Sequence, residues 1–262
     1  MEYLNKTNIA NYSLFSDKLE KIRHTDKLTI NTINQYSYCI AERDKLYQQS
    51  LEECDILLPD GFSIVKAVHF LNGEHINKIA GFDMHTYLLE QLNKVGGSCF
   101  YLGSSEGTLS KIKERIALQH PAIRVNTFSP PYKKEFSEED DAAMIDAVNS
   151  QHPDVLFIGL AAPKQEKWVF INKSLLRVNL ICSVGAVFDY YAGTVKRGSK
   201  FWVNHGMEWF IRLVKQPKRM WKRYLVYGPV FIWYIIIMKM RKPMPNLSRP
   251  KKSINIIDGS LK

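Results

Sequence analysis

Short apolar segments alternate with longer amphipathic segments over the first 195 residues of the chain. The apolar segments are rich in Ile, Leu, Val and Phe, which is typical of buried β-strands. Between them, apolar residues recur at helical spacing. The predicted strands span residues 28–33, 55–58, 98–102, 123–128, 155–160 and 180–184. The alternation predicts a Rossmann-like α/β domain over residues 1–195, with a largely parallel, doubly wound sheet and helices on both faces.

The predicted helices are less regular towards the start of the chain. Apolar residues between positions 12 and 22 lie at roughly helical spacing, which predicts an N-terminal helix within residues 1–26. The next helix is expected to run without a break from Gln35 to about Ser50. Later helices are expected at 62–71, around 84–92, up to about 120, at 137–151 and from 164 onwards.

Beyond residue 195, aromatic and basic residues are interleaved. Residues 196–262 hold 16 of the 36 Lys and Arg residues but two of the 26 acidic ones. Basic amphipathic helices with aromatic residues are typical of segments that bind an anionic membrane surface, whereas nucleic acid is the less favoured partner. We therefore expect a helical, membrane-associating appendage at 196–242, broken at Pro217, and a disordered tail at 243–262. The apolar run at 230–238 is expected to be too short to span a bilayer.

Composition favours a cytoplasmic location. An apolar fraction of 45% in 262 residues is ordinary for a folded protein with a sizeable core. The four cysteines lack metal-ligand spacing, and the N-terminus lacks the charged-then-apolar pattern of a secretion signal.

Several polar residues share a position at the carboxyl ends of predicted strands. They are Thr32, Asn34, Asp60, Gln165 and Asp189. The carboxyl ends of parallel strands meet at one edge of a sheet, where helix N-termini offer unpaired N–H groups to anions, so a ligand site is expected there. The alternative is structural: Thr32 and Asn34 would cap turns and Asp60 would cap a helix.

Three further segments carry candidate chemistry. Lys78 lies shortly before Asp83, which opens a predicted helix whose dipole favours an acid. The Gly-x-x-x-Gly loop that begins at Gly103 is neither a dinucleotide nor an ATP motif, but its backbone N–H groups can contribute to a nucleotide site. Acidic residues 138–141 fall in a first helical turn, which the helix dipole explains, so no metal site is predicted.

The segments GLAAPKQEKW at 159–168 and GAVFDYYAGTVKRGSKFW at 185–202 resemble the WecG/TagA/CpsF family of bacterial glycosyltransferases. Thr-x-Asn, Pro-Asp-Gly, Gly-x-Asp and Gly-x-x-x-Gly elements precede them in the family's order, so the resemblance covers roughly residues 28–228. Lys78 stands where the family more often has Arg, which keeps a positive charge but removes bidentate binding of phosphate or carboxylate.

The resemblance implies a metal-independent, inverting glycosyltransferase without a cofactor. Its donor would be a UDP-sugar, of the N-acetylmannosamine type in the best-known members, and its acceptor a polyprenyl-diphosphate-linked sugar at the inner face of the cell membrane. The resemblance further implies that Asp60 is the general base, that Thr32 orients the reacting groups, and that Asn34, Gln165 and Asp189 hold the donor. Such a protein would be a peripheral membrane enzyme of cell-surface polysaccharide assembly.

The leaving diphosphate needs positive charge, which without a metal comes from basic residues and helix N-termini. Arg212, Arg219 and Arg223 are candidates if the C-terminal helices fold over the pocket when the lipid is engaged, although they could equally hold the acceptor's diphosphate. Lys78 and Gly103 are further candidates for the donor site. The oligomeric state stays open, a homo-oligomer included.

A function of another class is a nucleotide-binding module that is recruited to the membrane surface and has no catalytic activity. Loss of turnover with retained UDP binding in an Asp60→Asn variant would favour the enzyme. An NAD-dependent oxidoreductase is disfavoured because the chain has no GxGxxG motif.

Overall fold

The computed structural model describes residues 4–22, 27–195 and 208–241, without the side chains of Glu208 and Arg219. The predicted tail at 243–262 lies outside these residues. The strands are β1 (Lys6–Ile9), β2 (Tyr12–Phe15), β3 (Leu28–Ile33), β4 (Ile56–Pro59), β5 (Ser98–Gly103), β6 (Arg124–Phe128), β7 (Val155–Gly159) and β8 (Leu180–Ser183). The helices up to residue 195 are α1 (Gln35–Ala41), α2 (Lys45–Glu52), α3 (Phe62–Asn72), α4 (Gly81–Val95), α5 (Glu106–Gln119), α6 (Glu138–Asn149), α7 (Lys164–Asn172) and α8 (Val187–Tyr191).

Three more helices follow in the described part of the C-terminal segment. They are α9 (Glu208–Lys215), α10 (Pro217–Trp221) and α11 (Tyr227–Arg241), the last two joined by a π-helical turn (Lys222–Val226). The predicted break at Pro217 is confirmed, since this residue begins α10, at a position where its missing N–H group costs no hydrogen bond.

The strands of the described chain form one sheet in the order β1-β2-β4-β3-β8-β7-β5-β6. The pair β1–β2 is antiparallel, and the other neighbouring strands are parallel. From β3 the chain moves outward to β4, whereas β8, the other neighbour of β3, is reached last. Such a reversal of strand order opens a crevice beyond the carboxyl ends of the central strands, where α/β proteins bind ligands.

Side chains from both faces of the sheet form the core. Tyr101 and Phe157 pack on one face among residues of α4, α5 and α8. Phe100 and Leu156, one position earlier in their strands, pack on the other face with α6 and α7. On this same second face of the sheet, α1, α2 and α3 cover β3 and β4. The predicted doubly wound α/β fold is therefore confirmed.

The predicted N-terminal helix is wrong. The segment forms the β1–β2 hairpin, in which Thr7 and Ile9 are buried while Lys6 and Asn8 are exposed. This alternation has the period of a strand, and β2 continues it into the sheet by pairing with β4.

The predicted single helix at 35–50 is also wrong, because two helices, α1 and α2, replace it. The first helix ends at Ala41, and Asp44 is the N-cap of the second, since its Oδ1 accepts a hydrogen bond from Tyr47 N at 3.1 Å. The capping carboxylate satisfies an N–H group that an uninterrupted helix would have bonded internally.

The C-terminal helix α11 packs against the sheet domain. Phe231 and Ile235 are buried in the same cluster as residues of α1 and α3. The ring of Phe231 lies 5.3 Å from that of Tyr38 in an edge-to-face contact, and Lys239 Nζ donates to the Phe70 carbonyl oxygen at 2.9 Å. This docking brings the C-terminal segment to the edge of the sheet where the crevice opens.

The helix from Lys222 to Arg241 has 20 residues and is long and apolar enough to cross a membrane, by length and composition. The apolar run at 230–238 lies within this longer helix, because flanking residues extend it on both sides. A core helix of a soluble protein can meet the same criteria of length and composition. Two residues of this helix, Phe231 and Ile235, are buried in the protein core.

Candidate active site

A polar cavity of about 350 Å³ lies beyond the carboxyl ends of β3, β4, β7 and β8. Its walls come from the turns after these strands and from the C-terminal helices that cover it. The sheet domain contributes Thr32, Asn34, Asp60, Gln165, Glu166, Gly185 and Tyr190, and the C-terminal segment contributes Arg212, Met220, Lys222, Arg223 and Tyr227, among others. The crevice that the strand order predicts is thus covered by the C-terminal helices.

An apolar groove of about 660 Å³ lies next to the polar cavity, between α3 and the C-terminal helices. Its apolar walls include Phe62, Ala67, Phe70, Ile232, Ile235 and Ile236. Lys66 and Lys78 also line it. The groove can hold an apolar chain and has cations beside it.

The two cavities share four residues, Asn34, Asp60, Arg212 and Arg223. A carboxyl group, an amide and two guanidinium groups therefore lie where a polar compartment meets an apolar one. Asp60 and Asn34 come from the sheet, whereas the two arginines come from the C-terminal segment. The junction exists because α9 to α11 fold back over the sheet edge.

Asp60 is held at the tip of β4 by the backbone. Its N–H group donates to the Ile33 carbonyl oxygen at 2.9 Å, which ties it to the end of the neighbouring strand. The N-cap of α3 is Gly61, at φ +129°, a backbone conformation that favours glycine. The alternative role of Asp60 as a helix N-cap is therefore wrong, and its side chain lines both cavities instead.

Thr32 and Asn34 come from the adjacent strand end. Asn34 Oδ1 accepts hydrogen bonds from the N–H groups of Tyr36 and Ser37, both at 3.1 Å, and so caps α1. The structural role considered for Asn34 is confirmed. Because capping uses the amide oxygen, the NH₂ group is the part of Asn34 that suits a ligand. Thr32 lines the polar cavity but not the apolar groove.

Each junction arginine contacts an aromatic ring. The guanidinium carbon of Arg223 lies 4.5 Å from the centre of the Tyr36 ring, and that of Arg212 lies 5.1 Å from the Tyr190 ring. Both rings belong to the walls of the polar cavity. Stacking leaves the edges of a guanidinium group able to donate hydrogen bonds in its plane, which suits phosphate oxygens.

The N-terminus of α7 contributes a buried amide and a buried carboxyl group. Trp168 Nε1 donates to Asp141 Oδ1 at 2.8 Å, and Lys167 pairs with Asp44, so α7 is fixed to its neighbours α6 and α2. Gln165 Nε2 donates to Glu166 Oε1 at 2.8 Å. Burial raises the pKa of Glu166 to about 7, although the hydrogen bond from Gln165 and the charge of Arg223 act in the opposite direction.

The sequence model of the glycosyl transferase WecG/TagA/CpsF family matches residues 4–244. The chain belongs to this family. It is also similar to two N-acetylglucosaminyldiphosphoundecaprenol N-acetyl-β-D-mannosaminyltransferases. The one from Bacillus subtilis (strain 168) is 29% identical over 82% of this chain and 83% of its own length. The one from Bacillus spizizenii is 28% identical over 71% of this chain and 70% of its own length.

The chain is therefore a glycosyltransferase, as the resemblance of its motifs predicts. Of its predicted site residues, the structure brings Thr32, Asn34, Asp60, Gln165, Arg212 and Arg223 together around the polar cavity. Their roles in the reaction stay predictions at this point. The side chain of Arg219 lies outside the described part of the chain.

Three other predicted site residues of this glycosyltransferase lie elsewhere. Lys78 lines the apolar groove, with Nζ 5.3 Å from the centre of the Phe62 ring. Gly103 and Asp189 line neither cavity. At Gly103, φ is +117° and a Cβ atom would lie 2.7 Å from the Gly159 carbonyl group, so close packing of β5 on β7 accounts for this glycine. The donor-binding roles of Lys78, Gly103 and Asp189 stay predictions.

Several residues that line the polar cavity were not among those predicted from the sequence. They are Tyr36, Ser37, Glu166, Tyr190, Lys222 and Tyr227. Glu166 follows Gln165 directly, and a charged residue next to a predicted ligand residue is a signal in itself. The aromatic residues gave no such signal, because a Tyr side chain has an apolar body that packs in a core and a polar tip that suits a site.

Proposed function

We propose that this glycosyltransferase moves a sugar of the N-acetylmannosamine type from a UDP-sugar to a polyprenyl-diphosphate-linked sugar. Transfer would invert the configuration at the anomeric carbon and would need no metal ion. The relatives from Bacillus carry the name of a reaction with this kind of sugar and acceptor. The enzyme would work at the inner face of the cell membrane in cell-surface polysaccharide assembly.

The position of Asp60 at the junction of the polar cavity and the apolar groove carries the proposal. A sugar nucleotide is polar and anionic, whereas a polyprenyl chain is apolar. A base that serves both substrates has to lie where a polar compartment and an apolar one meet. Among the described residues that line both cavities, Asp60 is the one with a carboxyl group.

In the proposed reaction, the Asp60 carboxylate accepts the proton of the acceptor hydroxyl group while the hydroxyl oxygen bonds to the anomeric carbon of the donor. The bond from that carbon to the diphosphate oxygen breaks, and UDP leaves with the electron pair on the opposite face. A positioned base of this kind contributes about 10²–10⁴-fold to the rate. Thr32, on the same edge of the polar cavity, would orient the reacting groups.

The leaving diphosphate gains a negative charge that the site has to stabilise. Arg212, Lys222 and Arg223 all line the polar cavity, and the two arginines extend to the apolar groove. They would hold the donor diphosphate, the acceptor diphosphate, or each in turn. Asn34 and Gln165 would hold the nucleotide or the donor sugar.

Exposed apolar side chains support binding to a membrane surface. In the C-terminal segment they include Trp221, Leu225, Ile232, Trp233, Ile236 and Met240. Phe62 and Phe70 of α3, which also line the apolar groove, are exposed nearby. A contiguous apolar surface with basic residues around it is typical of proteins that bind anionic membranes. A lipid acceptor could then enter the groove from the membrane.

The proposed function is tested by measuring UDP release from UDP-N-acetylmannosamine and UDP-N-acetylglucosamine, with and without a short-chain polyprenyl-diphosphate N-acetylglucosamine acceptor. We expect acceptor-dependent release from the mannosamine donor at the same rate in EDTA as in Mg²⁺. Release that disappears in EDTA and returns with Mg²⁺ would contradict metal independence. Binding of UDP without acceptor-dependent release from any donor would favour the non-catalytic module.

A further inference from the structure

Two buried oxygen atoms at the start of α7 lack a hydrogen-bond partner among the described residues. They are Gln165 Oε1 and Glu166 Oε2. The two residues are 3% and 1% exposed, and both line the polar cavity. Buried polar atoms in native proteins nearly always have a hydrogen-bond partner. A donor group in the polar cavity, from a ligand or an ordered water molecule, would supply the missing partner.

The hydrogen bond between the two side chains fixes what they present. Gln165 uses its NH₂ group to donate to Glu166 Oε1 at 2.8 Å. The opposite orientation of the amide would bring its oxygen against the carboxyl oxygen, which is unfavourable for a carboxylate. Gln165 is therefore held with Oε1 as an acceptor, and Glu166 Oε2 is a second acceptor beside it once the carboxyl group is ionised, which its pKa of about 7 sets above neutral pH.

A glycine on the cavity wall lies beside the Gln165 amide. Gly185 has φ +53° and no side chain, and a Cβ atom there would lie 3.5 Å from both Oε1 and Nε2 of Gln165. Any side chain at this position would stand against the amide. The absence of a side chain at Gly185 thus keeps a methyl-sized space beside the amide free.

Two adjacent acceptors select for a ligand with two adjacent donors. Phosphate oxygens are acceptors and would be repelled. The uracil ring offers one N–H donor between two carbonyl acceptors, and an N-acetyl group offers one donor and one acceptor. A pair of neighbouring hydroxyl groups matches, and a sugar nucleotide has such pairs on its ribose and on its hexose.

We propose that Glu166 is a donor-binding residue that, together with Gln165, accepts hydrogen bonds from two neighbouring hydroxyl groups of the sugar nucleotide. The identity of the ligand as a UDP-sugar rests on the proposed function. The shared chemistry is that of a vicinal diol, on either ring. Cations at the cavity wall, Arg223 and Lys222, would hold the diphosphate while this pair holds a sugar ring.

Calorimetric binding of UDP, 2′-deoxy-UDP and 3′-deoxy-UDP tests the ribose, and UDP-N-acetylmannosamine with its 3-deoxy and 4-deoxy analogues tests the hexose. We expect one ring to show at least about tenfold weaker binding when a hydroxyl group is removed. In Glu166→Gln, we expect that discrimination to fall to about threefold or less, with little change in affinity for the deoxy analogue. Glu90→Gln, an exposed change on α4, is the control.

The proposal would be overturned if the wild-type protein bound all deoxy analogues as tightly as the parent compounds. It would also be overturned if Glu166→Gln lowered the affinity for all compounds by the same factor. These binding assays need no sugar transfer. An absence of transfer in the UDP-release assay would therefore contradict the proposed function. Retained discrimination between hydroxyl and deoxy compounds would still support the diol site.

A second variant covers the case that Glu166→Gln does not fold. Gly185→Ala places a methyl group against Gln165, and Gly193→Ala has a similar positive φ of +72° with no atom within 4 Å of the new methyl group. Both changes carry a similar backbone penalty, but Gly185→Ala alone should reduce discrimination between the hydroxyl and deoxy compounds. Equal behaviour of the two variants would contradict the placement of the diol at Gln165.

Discussion

Glu166 is a carboxyl group with nearly no exposed surface, and its titration should change the stability of the protein. Its pKa is raised from an ordinary value of 4.5 to about 7, chiefly by burial. The groups around it are Gln165 on its own helix, Tyr47 of α2 and Arg223 of the C-terminal segment. The folded protein therefore holds a proton here that the unfolded chain has already lost between pH 4.5 and 7.

Because the folded state binds the extra proton, the contribution of Glu166 to stability is full below pH 4.5 and is lost as the pH rises to about 7. The Glu166→Gln variant does not titrate at this position. Relative to wild type, we expect its free energy of unfolding to rise by about 3 kcal/mol between pH 4.5 and 7.5, as measured by urea denaturation without ligand. Parallel curves for the two proteins would show that Glu166 is not buried as described.

Asn34 shows how far a single residue can be interpreted from the sequence. Its position after β3 predicts either a turn cap or a ligand residue, and the structure combines the two, since it caps α1 and lines both cavities. Asp60 had the same two alternatives, and there the cap is taken by Gly61. Local sequence does not decide such cases, because the decisive partner comes from another strand.

At the scale of elements, α11 has two different faces. Phe231 and Ile235 are four residues apart and buried against α1 and α3, whereas Ile232, Trp233 and Ile236 are exposed. The run is apolar on all sides, so its sequence gives no periodicity from which to choose the packed face. The sequence shows that this helix is apolar, but the residues of α1 and α3 that pack against it decide which of its faces is buried.

Two substitutions on α11 separate folding from membrane binding. Phe231 is 3% exposed, so Phe231→Ala should lower the free energy of unfolding by about 3–5 kcal/mol. Trp233 is 61% exposed, so Trp233→Ala should change it by about 0.5 kcal/mol or less but should weaken binding to anionic vesicles. Denaturation and vesicle co-sedimentation measure the two effects. Unchanged vesicle binding of Trp233→Ala would place the membrane-binding surface elsewhere.

The β1–β2 hairpin shows a different limit of sequence analysis. Each strand has four residues, which is too few for a period of two to stand out against a helical one. The two strands are stabilised by each other and, through β2, by β4. The longer strands in the middle of the sheet are apolar on both faces, and these were predicted correctly.

At the scale of the whole molecule, the candidate site joins parts of the chain that are far apart in sequence. Thr32 and Asp60 come from one half of the sheet, Gln165 and Glu166 from the other, and the arginines from helices after residue 207. The strand pattern predicts the edge at which the first four meet. It does not predict that the C-terminal segment covers that edge, because the aromatic and basic pattern of this segment is equally compatible with a separate appendage.

The central claim is that Asp60 accepts the acceptor proton at the junction of the polar cavity and the apolar groove. The most direct test is a single-turnover measurement of sugar transfer by Asp60→Asn, with binding of the UDP-sugar measured separately. Asp146→Asn, an exposed change on α6, is the matched control. We predict a rate of transfer about 10²–10⁴-fold below wild type for Asp60→Asn, with donor affinity within about threefold. A transfer rate equal to that of the control would contradict the account.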